Sequence, residues 1–266
     1  MLKVGFIGAG NMGEALSRAV VNSNKAIVYI YDKDEAKASA LAASLGAEKT
    51  DFSKIVTECD FLFLAVKPNI IPTVAEQIRD FAGRKQGATV VSMAAGVKLT
   101  SLESYLGKDT PIIRIMPNTP AAVGSGVMLV CNNSILTSDA MQGFKAIMEA
   151  SGLVDELCEE LFDVATAVSG CGPAFAYAFI DAMAAKGEEL GLPRDKALLY
   201  AADTVIGAAK MVKVGKKTPE ELKRDVCSPG GSTIEGVKVL DAGDLKGLVG
   251  NAVNASYEKT VILSKS

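Results

Sequence analysis

The sequence predicts an α/β fold: an N-terminal doubly wound sheet followed by an all-α C-terminal domain. Three observations carry that prediction. Continuous apolar runs alternate with helix-like runs through the first half, as buried parallel strands and their crossover helices require. A glycine-rich turn closes the first of these runs. From Glu159 onward no convincing strand-like run recurs. At 266 residues there is room for two domains, and the change of pattern puts them at 1–158 and 159–266.

The strand-like runs are Lys3–Ile7, Ile27–Tyr31, Phe61–Val66, Thr89–Met93, Ile112–Met116 and Val127–Cys131. Most are unbroken rather than alternating, the pattern of strands covered on both faces. Helical stretches fall between them at Asn11–Val21, Glu35–Leu45, Ile70–Phe81 and Ala140–Ala150. Gly46 supplies a natural stop for the second. Thr100-Ser-Leu-Glu103 reads as a capping box for a short helix. Beyond residue 158, helices are expected at Glu159–Val168, Ala174–Leu190, Asp195–Val214 and Leu245–Ser264. Thr218-Pro219-Glu220-Glu221 is a helix start, with Thr as N-cap, Pro at the first position and Glu at the third. The 174–190 stretch is apolar nearly all round and rich in small residues, so it should be buried in a core or against a partner subunit. A homodimer through these helices is expected.

Composition removes several function classes. There is no histidine, which excludes a Ser-His-Asp triad, a Cys-His dyad and any imidazole proton shuttle. It also removes most catalytic zinc sites. Five cysteines, odd in number and without a CxxC pair, fit reduced thiols rather than a disulfide framework. A net charge of −3 offers no basic surplus for nucleic acid. Uncharged stretches at 115–138 and 164–180 are broken by proline and glycine, so no membrane span is expected. A strand-like start at Lys3 leaves no room for a signal peptide, and a cytoplasmic location is expected.

Ile7 ends the first strand, and Gly8, Ala9, Gly10, Asn11, Met12 and Gly13 form a GxGxxG turn into a helix. Gly8 makes the tight turn, Gly10 lets backbone approach a pyrophosphate, and Gly13 allows close helix–strand packing. The helix start offers free amides and a positive dipole end to phosphate. Asp32 closes the next strand 19 residues after Gly13. This is the pattern of a Rossmann-type dinucleotide site. A carboxylate at Asp32 accepts from the ribose 2′-hydroxyl of NAD and repels the 2′-phosphate of NADP; Lys33 beside it could offset the repulsion. Asp32 and Asp34 could instead simply cap the following helix.

Ligands of an open parallel sheet gather outside the carboxyl ends of its strands. Three further segments belong there: Ala65, Val66, Lys67 and Pro68; Ala94, Ala95 and Gly96; and Pro117 to Pro120, including Asn118. All are small, turn-prone and poor in charge, suited to a nicotinamide ring. Lys67 reads either as a surface lysine or as a phosphate or ribose contact.

One segment of the helical half is unusual: Ser228-Pro229-Gly230-Gly231-Ser232-Thr233. Pro-Gly-Gly makes a turn, and Ser232 or Thr233 could cap the next helix. Consecutive amides at a helix start, with hydroxyls beside them, would also grip a small carboxylate. A second turn, Ser169-Gly-Cys-Gly-Pro173, could form an opposite wall.

Phe61-Leu-Phe-Leu-Ala-Val-Lys-Pro68, Ala94-Ala95-Gly96, Met116-Pro-Asn-Thr-Pro120, Ser169-Gly-Cys-Gly-Pro173 and Ser228-Pro-Gly-Gly-Ser-Thr233 occur in this order. Together they resemble the pyrroline-5-carboxylate reductase family, from about residue 3 to about residue 262. The resemblance implies reduction of the cyclic imine 1-pyrroline-5-carboxylate to L-proline by NADPH or NADH. It implies a homodimer built on the helical domain, often five dimers in a decamer, in the cytoplasm. It puts the substrate carboxylate on Ser228, Gly230, Gly231 and Ser232, and Thr233 beside the ring nitrogen. Ala65–Pro68 and Ala94–Gly96 match its nicotinamide-side contacts. Many members carry Ser or Asn followed by Arg or Ser where this chain has Asp32-Lys33, so Asp32 favours NADH where the family more often uses NADPH. Cys171 and Cys227 stand where Ser is common and read as small packing residues.

The chemistry fits a chain without imidazole. The imine nitrogen is basic enough to enter protonated, so alignment rather than a strong protein acid does most of the catalysis. No metal is called for. A β-hydroxyacid dehydrogenase of similar architecture would need a lysine four residues after Gly172, where Ala176 stands; the next lysine is Lys186. A non-catalytic nucleotide sensor on the same fold would have no use for the Ser228–Thr233 loop.

Overall fold

The computed structural model describes residues 1–264 and divides into two compact units. The first comprises Met1–Cys171 together with the chain from Ser256 onward; the second is Gly172–Ala255. The division falls later than the 158/159 boundary read from the sequence, because residues 159–171 pack on the sheet.

The first unit carries β1 (Leu2–Ile7), α1 (Asn11–Asn22), β2 (Ala26–Tyr31), α2 (Glu35–Leu45), β3 (Glu48–Lys49), α3 (Phe52–Glu58) and β4 (Phe61–Leu64). It continues with α4 (Ile71–Asp80), β5 (Thr89–Ser92), α5 (Leu99–Leu106), β6 (Ile112–Pro117), β7 (Gly126–Asn132), α6 (Ser138–Met148), β8 (Gly152–Glu156) and α7 (Phe162–Ala165). The eight strands form one sheet in the order β3-β2-β1-β4-β5-β6-β7-β8. β1 to β6 run parallel. Strand order reverses at the β1/β4 junction, so a crevice opens outside the carboxyl ends of these two strands.

Both faces of the central strands are buried, which is why these strands read as unbroken apolar runs. One face packs Phe6, Leu16, Phe63 and Phe144, with the Phe6 and Phe63 rings stacked 4.5 Å apart. The other packs Ile7, Ile55, Leu64, Ile71 and Leu102. Among the thiols, burial pushes Cys59 and Cys131 up to about 12, so both are inert as nucleophiles.

Three expectations are corrected here. β7 is antiparallel to β6, not another parallel strand. The connection from Asn118 to Ser125 is one 3-10 turn, too short for the crossover a parallel partner needs. The Thr100–Glu103 capping box does not form: α5 begins at Leu99 with Lys98 as its N-cap. The 159–168 helix is broken into a 3-10 turn, the single turn of α7 and a π-helical stretch at Thr166–Gly170.

The second unit is helical throughout: α8 (Gly172–Glu189), α9 (Arg194–Val214), α10 (Pro219–Asp225), α11 (Ser232–Ala242) and the first part of α12 (Leu245–Leu263). The Thr218 capping box is formed, with its hydroxyl accepting from Glu221 N and the Glu221 carboxylate accepting from Thr218 N. That contact holds the Glu221 carboxyl below the usual carboxylate range. α8 and α9 fold back on each other around Gly187, where a Cβ would stand 3.4 Å from Ala197 Cβ.

Candidate functional site

The glycine turn is built by steric necessity. Gly8 has φ +115°, and a Cβ there would lie 2.4 Å from Ala65 O on the neighbouring strand end. A Cβ on Gly13 would lie 2.6 Å from Gly8 O. Gly10 is different: a Cβ there would meet nothing within 4 Å, and its backbone is ordinary extended chain. Protein packing gives no reason for glycine at that position. A ligand lying against the backbone does, and a dinucleotide pyrophosphate fits the cradle. The first intrahelical donor of α1 is Glu14 N, which reaches Gly10 O at 2.8 Å. The amides of Asn11, Met12 and Gly13 precede it and face the helix entrance.

Asp32 directly follows β2, with its carboxylate anchored twice. One oxygen accepts from Ala9 N at 2.8 Å and the other from Asp34 N at 2.9 Å. The helix cap is Asp34 instead, which accepts from Lys37 N. Asp32 therefore ties the glycine turn to the end of β2, and each of its oxygens keeps a further acceptor site. Lys33 is exposed beside it.

Ala65 extends β4 and lies against Gly8. Val66 Cγ1 stands beside the same glycine. Lys67 is exposed, at the start of a 3-10 turn opened by Pro68. Ala94–Gly96 turn sharply after β5, with Gly96 at φ +80° and Val97 N donating to Ala94 O. Asn118 reaches the expected strand end, but its polar groups are committed to the protein. Its Oδ1 accepts from Val127 N, and its Nδ2 donates to Ser169 O at 2.9 Å. Its side chain is a strut between β7 and the π-helical stretch, not a free contact for a ligand.

In the helical unit, Gly231 N donates to Ser228 O at 3.0 Å, closing a turn with Pro229 and Gly230 at its corners. Gly230 has φ +73°, so the turn requires glycine there. Gly231, not Ser232 or Thr233, is the N-cap of α11, and no side chain caps it. Among the described residues, no protein hydrogen bond takes up the hydroxyls of Ser228, Ser232 or Thr233, and all three residues are exposed. Three free hydroxyls and the open first turn of an 11-residue helix suit a small anion. Lys186, the nearest lysine to the glycine turn of α8, pairs with Glu189 on an exposed surface.

One pair went unread in the sequence. Arg114 on β6 is 5% exposed and donates to Glu159 Oε1 at 2.6 Å. Nothing local marks it: Arg114 sits in an otherwise apolar run, and its partner lies 45 positions away. Among the described residues there is no cluster of metal-ligating side chains, and no helix is long and apolar enough to cross a membrane.

Comparison with known proteins bears on both sites. Residues 159–263 match the family model for pyrroline-5-carboxylate reductase dimerisation. Pyrroline-5-carboxylate reductases from Aquifex aeolicus and Escherichia coli are each 37% identical to this chain. The first aligns over 97% of this chain and 96% of its own length, the second over 99% of both. The chain belongs to the pyrroline-5-carboxylate reductase family.

Residues 3–96, from β1 to Gly96, match a model described as NADP oxidoreductase, coenzyme F420-dependent. The crystal structure of the Plasmodium falciparum reductase, determined with NADP bound, superposes with a TM-score of 0.87 at 30% identity. It covers 99% of this chain and 98% of its own. The reductase family thus accounts for the sheet, the glycine cradle and the helical unit together.

Proposed function

We propose that this reductase converts 1-pyrroline-5-carboxylate to L-proline with NADH or NADPH, the last step of proline biosynthesis. The observation that carries it is the Ser228–Thr233 turn, whose hydroxyls and helix-entrance amides are left open by the protein. Ser228, Gly230, Gly231 and Ser232 hold the substrate carboxylate. Thr233 orients the ring N–H. Bound nicotinamide cofactor supplies the hydride to the imine carbon. The substrate enters as the iminium, so hydride addition leaves a neutral amine that takes its last proton from water. Thr233 holds the N–H in line and needs no change of charge.

The cofactor lies along Ile7–Gly13, with the pyrophosphate over Gly10 and the α1 entrance. The two remaining acceptor sites of Asp32 take the adenosine ribose hydroxyls, with Lys33 alongside, and favour NADH. Ala65–Pro68 and Ala94–Gly96 border the nicotinamide; Asn118 holds the neighbouring wall. The working form is a homodimer through the helical domain (159–266), with five dimers forming a decamer, in the cytoplasm.

The test is loss of the reduced-nicotinamide absorbance with 1-pyrroline-5-carboxylate, run with each cofactor. Turnover is expected with both and faster with NADH. Thr233→Ala should lower kcat/KM about tenfold to a hundredfold, the worth of a hydrogen bond to a charged group, with cofactor affinity unchanged. Equal losses in turnover and cofactor binding would remove Thr233 from the role.

A further inference from the structure

We propose that Glu159 is a positioning residue for the nicotinamide side of the cofactor site, a role that rests on the reading of Ala94–Gly96 as cofactor contacts. Its Oε1 does two things at once. It accepts from Arg114 Nη1 at 2.6 Å and from Leu99 N at 2.8 Å. Leu99 is the first residue of α5, directly after the Ala94–Lys98 turn. The N-cap, Lys98, makes no side-chain bond to the helix. A carboxylate 60 positions away in sequence therefore does the work of the missing cap.

The turn is gripped from its other side as well. Leu263 O stands 2.7 Å from where a Gly96 Cβ would be, so the end of α12 lies directly on the turn. Ser264 Oγ then donates to Asp163 Oδ1 at 2.8 Å, linking that end to the segment that carries Glu159. The Arg114 guanidinium lies 4.7 Å over the Phe162 ring, which fixes the same segment from below. Residues 159–163 thus hold the start of α5, Arg114 on β6 and the end of α12 together.

Stability alone does not explain the pair. A buried ion pair gains little over well-packed apolar residues of similar volume, because desolvation offsets the attraction. Arg114 pairs with a carboxylate whose one further job is to hold Leu99 N. The geometry makes the arginine the orienter of Glu159, and Glu159 the orienter of the turn.

Two double variants separate this role from simple support of the fold. Arg114→Met/Glu159→Ala removes the pair and the acceptor for Leu99 N. Arg114→Met/Glu159→Gln removes the charges but keeps an amide oxygen for Leu99 N. Calorimetric titration with NADH and with ADP-ribose reads both halves of the cofactor site, and thermal melting reads the fold. The alanine variant should bind NADH about tenfold more weakly, the scale of one lost hydrogen bond, and ADP-ribose unchanged. The glutamine variant should recover NADH binding. NADH binding that is unchanged in the alanine variant, or a fall shared equally by ADP-ribose, overturns the proposal. So does a glutamine variant as weak as the alanine one. Ala95→Glu, at an exposed position of the turn, checks the underlying reading. If it leaves NADH binding unchanged, Ala94–Gly96 are not cofactor contacts, and the proposal falls with that reading rather than through Glu159.

Discussion

The sheet-containing unit buries whole aromatic side chains, with Phe6, Phe63, Phe144 and Phe162 at most 1% exposed. The helical unit, from Gly172 to Ala255, buries three alanines: Ala184, Ala197 and Ala201. Burying a Phe or Leu contributes about 1.5–3 kcal/mol, and a methyl-sized group about 0.8 kcal/mol. Fixing each residue's backbone costs about 1–2 kcal/mol. Three buried alanines give the helical unit little of its own to set against that cost. Its large apolar residues instead face outward, among them Tyr177, Leu199, Tyr200 and Met211, each more than half exposed. One unit completes its core within the chain; the other leaves its large apolar residues outward over a stretch that matches a dimerisation model.

The largest expected effect comes from charging that outward face. Leu199→Asp places a charge on the exposed face of α9. It should cost about 2 kcal/mol or more of association. Light scattering should then report monomer, and helical circular dichroism should fall while the sheet unit stays folded. An intact oligomer of unchanged melting temperature would break the comparison.

A second pair of variants sharpens it within the sheet unit. Gly8→Ala forces a Cβ onto Ala65 O at a left-handed φ and should cost about 1–3 kcal/mol, with loss of cofactor binding. Gly10→Ala meets no neighbour and should cost only about 0.5–1 kcal/mol, the loss of a better N-cap residue, yet still weaken cofactor binding. Melting temperature against cofactor titration separates the two. If Gly10→Ala binds as wild type, the cradle is not where the pyrophosphate lies.

The smallest effect belongs to Asp32→Ser. Removing the carboxylate should shift the NADPH-to-NADH ratio of kcat/KM upward by about tenfold. Ala9 N also loses its acceptor, so absolute efficiency with both cofactors should fall. An unchanged ratio would remove Asp32 from cofactor choice.

Much of this could be read from the chain because the signals are local. β1, α1, β2 and α2 fall within about a residue of their expected bounds, since apolar runs, Asp34 and Gly46 mark them in sequence. β3 and β8 escaped because they are short, largely exposed edge strands with charged residues and no apolar run. α3 escaped because its signal is a single cap, Asp51, ahead of two buried residues. The misplaced start of α5 has a tertiary cause: Glu159 satisfies Leu99 N, and no window around Thr100 contains it. Asn118 teaches the same lesson. Its position was legible, but its commitment to Val127 and Ser169 depends on chain segments far from it. The two glycine turns could be read because their backbone angles demand particular residues.

The chain reversal between β6 and β7 divides the sheet's two rims between different tasks. The loops proposed to hold the cofactor follow the carboxyl ends of the parallel strands, whereas β7 delivers its own carboxyl end to the opposite rim. There Asn133 pins the turn by bonding to Ile112 N and Thr110 O, and Ser134 and Ile135 protrude just beyond it. That tip is where the scaffold can accept foreign sequence. A reporter peptide spliced between Ser134 and Ile135 would hang from a pinned turn, away from the rim that carries the glycine turn.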